Sequence, residues 1–430
     1  MESKMAHQKN SRILSMWWLI GTIGLVGLES TAWGSNAQAA PLTFYQAVAL
    51  AERGAPDLAA KAVKIESTHA LLEPADALPD PKLMLGISNY PVSGPEAGSL
   101  NDSAMTMRRI GIAQAIPNSA KRRARREIAS AELGQARAQA QVVRLQVRQE
   151  AAQAWLTRFY VEQKLTLLDE LDRENALLHS TVNAMIASGR APLTDGVLAS
   201  QDAARLADSR DALEGEQVAA VALLRRYVNE AADEPLLGSP PSFSLSPQAL
   251  RDQVLQYPDV LELEASMRTA EARVLEAQSQ RRPDWGVELA WQQRDERYGD
   301  MISAQISFDL PLFAATRQDP TIRARQLSVE QLTLERDALL SEQARELDSQ
   351  LADYATLSSQ FHRAQSTWVK LAEQRVDLQY AAYINGDGDL GAVLAARRDL
   401  INQRLRVFDL AFQRDLLAMR LTFAYGEPAQ

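Results

Sequence analysis

Between Pro320 and about Ile384 hydrophobic positions recur at helical spacing, uninterrupted by Gly or Pro. One row runs Leu340, Leu347, Tyr354, Phe361, Trp368, and an interleaved row runs Ala344, Leu351, Ser358, Gln365, Ala372. This 3–4 alternation is that of a helix burying one seam against another helix. At about 1.5 Å per residue the stretch would be roughly 100 Å long. Asp319-Pro320 is expected to open it, with Pro320 at the first helical position. A second long run extends from Asn118 to Ser188, with Gly134 as its sole interior glycine and Asn118-Ser119 as its expected cap.

Two stretches carry a different period. In WGVELAW (285–291), Trp285, Val287, Leu289 and Trp291 share one face, opposite Gly286, Glu288 and Ala290. In ISAQISFDLPLF (302–313), Ile302, Ala304, Ile306, Phe308 and Leu310 oppose Ser303, Gln305, Ser307 and Asp309. Strands with one apolar face, aromatic at its ends, and one polar face suit a wall between lipid and water. LMLGISNYPV (83–92) and MTMRRIGIAQAIP (105–117) read as a first such hairpin, joined by the loop 93–103. There Arg108 shares a face with Ile110 and Ile112, which requires it to lie near headgroups.

The remaining segments complete a pattern that occurs twice. Residues 42–73 have helical spacing and end in the breaker PADALPDP (74–81). After 118–188, Gly189-Arg190-Ala191-Pro192 makes a turn, and a return helix runs from about Thr194 to Glu230. PLLGSPPSFSLSP (235–247) is a linker by its Pro, Gly and Ser content. Pro56-Asp57 is then answered by Pro258-Asp259 and Pro81 by Pro283, both at an offset of 202. Pro117 is answered by Pro311, Gly189-x-x-x-Leu193 by Gly386-x-x-x-Leu390, and Val197-Leu198 by Val393-Leu394, at 194, 197 and 196. The chain is expected to be a tandem duplication, 40–234 and 248–430, of helix, β-hairpin, long helix, tight turn and return helix.

Composition narrows the class. The formal charge is −9, the hydrophobic fraction 46%, and there is no cysteine, hence no disulfide framework or Cys-based zinc site. Lys4, Lys9 and Arg12 precede the apolar run 13–28 and Ala37-Gln38-Ala39, which together read as a signal peptide over residues 1–39. Those residues carry three basic and two acidic side chains, so the remainder has a charge of −10. Later in the chain no apolar run approaches the ~18 residues of a membrane helix, so a membrane-embedded form must use strands. Four strands cannot close a barrel, and open edges in lipid leave unpaired backbone groups at several kcal/mol each. Several chains must therefore share one barrel: two would contribute eight strands, three would contribute twelve.

The duplicated unit, the strand-to-helix joins QAIP (114–117) and FDLPLF (308–313), and the turns G-x-x-x-L-T-D-x-V-L (189–198) and G-D-G-D-L-x-x-V-L (386–394) resemble the TolC-like outer-membrane efflux family over the whole mature chain. The resemblance implies a mainly α fold with a membrane β-barrel: a long α-helical barrel plus four transmembrane strands per chain, closing as a 12-stranded barrel in a homotrimer. It implies a passive duct in the outer membrane extending into the periplasm, with outer-membrane lipid around it and no cofactor or nucleic acid. Its partners would be a periplasmic adaptor protein and an inner-membrane pump of the resistance-nodulation-division type. The turns would form the periplasmic tip that docks the adaptor: Gly189, Leu193, Thr194 and Asp195 in one, Gly386, Asp387, Asp389 and Leu390 in the other. Thr194 or Asp195 can cap the return helix. Family members often carry acidic residues after the second Leu, where this chain has Ala392 and Ala395. LPDPKLMLGISNYPVSGP (78–95) and MTMRRIG (105–111) also resemble the branch that partners heavy-metal pumps. Met84, Met105 and Met107 are soft donors by type, but a one-sided strand face accounts for Met105 and Met107.

No catalytic pattern emerges. His69, His179 and His362 are not spaced with acids as in a metalloprotease, and no G-x-S-x-G, P-loop or Rossmann glycine motif is present. KRRARRE (121–127) directly follows a strand end, so it would lie beneath the membrane, where it could meet inner-leaflet phosphates. Rival readings are a periplasmic adaptor, which would show one helical hairpin within a β-rich module, and a structural coiled-coil envelope protein, which would have almost no strand.

Overall fold

The computed structural model describes residues 41–426; the signal peptide expected at 1–39 lies outside the described residues. The chain begins with α1 (Phe44–Gly54) and α2 (Pro56–Ala70), followed by a hairpin of β1 (Lys82–Ser88) and β2 (Met107–Ile116). Then come α3 (Ser119–Ala187) and α4 (Leu193–Val228). After the short α5 (Pro247–Asp252), the order repeats as α6 (Pro258–Ser279), β3 (Trp285–Gln293), β4 (Met301–Phe308), α7 (Gln318–Arg363), α8 (Val369–Asn385) and α9 (Leu390–Leu421).

Local chemistry explains the boundaries. The helical spacing over 42–73 resolves into two helices, because Pro56 holds Ala55 extended (φ −67°, ψ 119°). Thr43 and Gln46 form a reciprocal capping box on α1. Pro56 and Pro258 each stand in the first turn of their helix, where the missing N–H costs nothing. Asn118 caps α3 as expected, its side chain accepting from the Lys121 N–H at 2.9 Å. At α7 the expectation needs correction: Arg317 is the cap residue, and Asp319-Pro320 lies within the first turn. Pro is accommodated there because the first four N–H groups of a helix have no intrahelical partner. Asp319 instead meets Arg281 at 2.6 Å.

The expected seam also changes course. Leu347 is fully buried, Leu340, Tyr354 and Phe361 are half-buried, but Trp368 is 48% exposed. The stretch Ala364–Trp368 between α7 and α8 is a π-helical turn, which inserts one extra residue. The buried row therefore resumes at Val369 and continues through Val376 to Tyr383, one position later than a strict heptad places it.

The four strands form one antiparallel sheet in the order β1-β2-β3-β4. Register places Ile110 opposite Trp291, Ile112 opposite Leu289, Val287 opposite Ile306 and Trp285 opposite Phe308. Met105, expected in a strand, precedes β2 and is exposed, while Thr106 beside it is buried. The largest core cluster gathers Phe44, Trp155, Tyr160, Leu224 and Met419 from both halves of the chain, and the Trp155 indole donates to the Leu42 carbonyl at 3.1 Å. The stretch expected to link the halves is anchored: Leu42 and Leu236 form a parallel bridge, and Pro247 already belongs to α5.

Candidate functional site

Two regions stand out. The first is the sheet, turned inside out relative to a soluble protein. Leu85, Leu289, Ile302, Ile306 and Phe308 are each about 60–75% exposed, and Trp285 and Trp291 about 40%, all on one face. The opposite face holds Glu288 in an ion pair with Arg109, and Gln292 bonded to Ser303 at 3.2 Å. Gly111 lies on that face against Ala290, where an added Cβ would come within 2.9 Å. Arg108 occupies the second position of β2, at the end next to the 93–103 loop, and donates to Asn101 at 3.2 Å. Its place at the strand margin meets the condition set by its charge.

The strand-to-helix joins are locked to each other. Asp284 accepts from the Asn118 backbone N–H at 2.8 Å, from its side-chain amide at 2.7 Å and from the Lys121 ammonium at 2.6 Å. Burial alone would raise the Asp284 carboxyl, but these donors together outweigh it and hold it below the ordinary range.

The second region is where the two long hairpins turn. Both turns end their helices with the same hydrogen bonds. Gly189 N–H reaches Ile186 O at 2.9 Å and Arg190 N–H reaches Met185 O at 2.8 Å; Gly386 N–H reaches Tyr383 O at 3.1 Å and Asp387 N–H reaches Ala382 O at 2.9 Å. This Schellman closure needs a left-handed residue, and Gly189 (φ 71°) and Gly386 (φ 84°) supply it.

The two turns converge on one cluster. Leu178, Val182 and Met185 of α3, Ala199 of α4, Tyr383 of α8, and Leu390, Val393 and Leu394 of α9 pack together. Of the sequence-predicted tip residues, Asp195 and Leu390 are buried, whereas Gly189, Leu193, Thr194, Gly386, Asp387 and Asp389 are exposed. The corresponding leucines thus differ: Leu193 is 79% exposed and Leu390 is 0%.

Capping is divided differently from expectation. Neither Thr194 nor Asp195 caps α4, whose cap position is Pro192 without a side-chain bond. Both residues lie within the first turn rather than at its cap, Pro192 offers no N–H for a reciprocal bond, and the Asp195 carboxylate instead accepts from the buried Tyr383 hydroxyl at 2.9 Å. In the second turn Asp389 does cap α9, accepting from Ala392 N–H at 2.9 Å. Burial first, then the Asp195 bond and charge, push the Tyr383 hydroxyl up to about 12.

Tyr383 and Asp202 are the residues that sequence reasoning missed. Asp202 lies seven residues after Asp195 on α4 and is likewise buried; burial raises its carboxyl, against the pull of Arg397, Arg398 and Arg205. Two acids spaced seven apart in line with buried Ala199 and Leu206 were the available signal.

Among the described residues, no group of three or more His, Cys, Asp or Glu side chains is placed to hold a metal ion, and no helix is long and apolar enough to cross a membrane. A polar cavity of about 430 Å³ between α3, α7 and the chain's end is lined by Gln146, Gln149, Gln153, Gln343, Tyr257 and Tyr425, among others. It contains no nucleophile–base pair.

Comparison with known proteins places this architecture. No family model and no curated protein matches the chain at the level of sequence. Solved structures do match. A membrane protein from Pseudomonas aeruginosa is 15% identical with a TM-score of 0.76, over 89% of this chain and 93% of that one. The outer membrane protein VceC from Vibrio cholerae is 17% identical with a TM-score of 0.72, over 90% and 97%. The Campylobacter jejuni CmeC outer membrane channel is 14% identical with a TM-score of 0.71, over 89% and 85%. Matched over about nine-tenths of its length, the chain has the fold of the TolC-like outer-membrane channels.

Proposed function

We propose that this chain is one third of a passive outer-membrane duct that carries small solutes across the periplasm under the drive of a separate pump. The single observation that carries the reading is the bare apolar face of a four-stranded sheet with two unpaired edges. In water that face would aggregate, and in lipid the outer edges of β1 and β4 would leave backbone groups unsatisfied. Successive strands alternate in direction, so β4 of one copy meets β1 of the next antiparallel. Three copies then give twelve strands around an open lumen. The ten residues of β2 span about 34 Å fully extended, enough for a tilted crossing of the hydrocarbon core. Likeness to the channels named above supports the same assignment.

Below the sheet, the 69 residues of α3 extend roughly 100 Å. That length suits a tunnel reaching across the periplasm, with the paired turns as its far end. The exposed part of those turns, Gly189, Leu193, Thr194, Gly386, Asp387 and Asp389, would meet an adaptor, while Asp195 and Leu390 hold the turns together from inside. The repeats 40–234 and 248–430, joined through 235–247, supply equivalent staves. An inner-membrane pump, of the resistance-nodulation-division type by the sequence resemblance, would supply energy. Heavy-metal cations are the cargo that the same resemblance indicates.

The test is direct. The protein should fractionate with the outer membrane as a trimer, and recovery as a soluble periplasmic monomer defeats the reading. Deleting the gene and challenging cells with copper, silver, zinc, cobalt, cadmium and a panel of antibiotics identifies the cargo.

A further inference from the structure

The start of α3 carries five basic residues, Lys121, Arg122, Arg123, Arg125 and Arg126, and they are not equivalent. Lys121 pairs with Asp284, Arg125 with Glu276 and Arg126 with Asp76. Arg123 is exposed and has no ion-pair or hydrogen-bond partner for its side chain among the described residues. The same is true of the Arg282 side chain, just after α6. These two arginines line one cavity of about 330 Å³ between α3 and α6. Its apolar lining includes Leu275, Ala120 and Ala124, and its one acid is Glu127.

The side of the wall on which this cavity opens can be worked out. Trp285 belongs to the bare apolar face of the sheet, and Asp284 precedes it in the extended chain, so it faces the other way. Lys121 reaches Asp284 at 2.6 Å and therefore lies toward the polar face. Two residues along a helix turn about 200°, which carries Arg123 to the apolar side. Arg282 is three residues from Trp285, at most about 10 Å of chain. On the segment after β4, Leu310, Leu312 and Phe313 are about 65–75% exposed. Aromatic residues at the rim, a small apolar floor and two uncompensated guanidinium groups below it form the order of chemistry found at a lipid headgroup boundary.

We propose that the α3–α6 groove binds a phospholipid of the leaflet on the helical side. Arg123 and Arg282 hold the headgroup phosphate, and Leu275 with the two alanines receives the glycerol and upper acyl chain. Paired charge-assisted bonds from guanidinium to phosphate oxygens give such a site its geometry. The inference rests on the membrane-barrel reading and adds an assigned lipid site to it.

The experiment uses full-length protein purified from outer membranes, with dioleoyl phosphatidylglycerol as the probe and native mass spectrometry as the readout. Wild type should retain the lipid. R123Q/R282Q should bind it roughly twenty-fivefold more weakly, taking each arginine near an anionic surface as about fivefold. R125Q/R126Q removes the same charge from residues that already have acidic partners, and should stay near wild type. R123K/R282K should recover part of the binding, and detergent-resistant trimers in all variants would show that assembly is intact. Equal weakening in both glutamine pairs would reduce the effect to diffuse attraction and overturn the site. So would unchanged binding in R123Q/R282Q, or displacement of the lipid by inorganic phosphate alone. An outer-membrane trimer with no such lipid dependence defeats the site and leaves the channel reading standing. A wild-type protein that never enters the membrane defeats the channel reading first.

Discussion

The Tyr383 hydroxyl donates a 2.9 Å hydrogen bond to Asp195, joining two buried side chains that lie 188 residues apart in the chain. It ties the end of the second long helix to the start of the first return helix. Tyr383→Phe keeps the ring in its cluster but leaves a buried carboxylate without its donor, a loss of about 1–3 kcal/mol. Hydrogen exchange over 190–200 and 383–394 should accelerate by a corresponding factor while the sheet's protection stays constant. Uniform protection across the chain would show that the bond contributes nothing to holding the turns.

Leu390 and Leu193 should separate packing from docking. Leu390→Ala empties a fully buried position in the turn cluster and should cost roughly 2–5 kcal/mol. Leu193→Asp alters a residue that is 79% exposed, so the melting temperature should hardly move. If this surface meets an adaptor, cross-linking of the two proteins in cells should fall with Leu193→Asp despite normal trimer levels. Full cross-linking would remove Leu193 from the docking surface.

Gly386 has open space around the position of a Cβ, so any penalty for Gly386→Ala comes from the backbone. With φ at 84°, that penalty should be about 1–2 kcal/mol, measurable in the denaturation midpoint. Gly134→Ala, in the interior of α3 and also with open space, should instead stabilise by up to about 1 kcal/mol.

Asp284 makes a pH prediction with a definite sign. Its carboxyl lies below the ordinary value of 3.8 in the folded chain, so its stabilisation is complete above that value. It is lost as pH falls through the depressed folded value. Asp284→Asn should therefore melt below wild type at neutral pH, and the gap should close under acid. A gap that persists unchanged at pH 2 would mean that the charge of Asp284 is not what stabilises the joint.

Leu289 and Gln305 lie on opposite faces of the sheet. Leu289→Lys near mid-strand should cost about 2–4 kcal/mol of folding into a bilayer, whereas Gln305→Lys should be tolerated. Urea titration of refolding into vesicles measures both. Equal tolerance of the two would contradict a lipid-facing surface.

How much of this was legible in the sequence depended on the range of the interaction. Local signals were reliable: Asn118 capping α3, Gly189 and Gly386 ending their helices, and the alternation of Trp285, Val287, Leu289 and Trp291 all follow from neighbours within a few residues. Pro56 serves in the sequence only as a landmark of the duplication, and the periodicity over 42–73 does not show the break it forces at Ala55. What escaped was decided elsewhere in space. Asp195 looks like a cap by residue type, but the helix starts two residues earlier at Leu193, and the partner its carboxylate finds, Tyr383, comes from 188 residues away. Leu193 and Leu390 occupy matching places in matching turns, yet one is bare and the other enclosed, because only the second turn folds its leucine into the shared cluster. A strict count of sevens places Trp368 in the seam, and nothing in AQSTW announces the π turn that displaces it.

That π turn has a consequence for how the long helix can change. An insertion or deletion of whole heptads would alter reach and leave the tip's orientation nearly intact. Removing a single residue from the α-helical part of α7 would do the reverse: the length would hardly change, but everything beyond would rotate by about 100°. Tyr383 would then swing off Asp195 although neither residue had been touched. The π turn at Ala364–Trp368 is where the helix absorbs such a one-residue change, its extra residue keeping the row from Val369 to Tyr383 on the buried side.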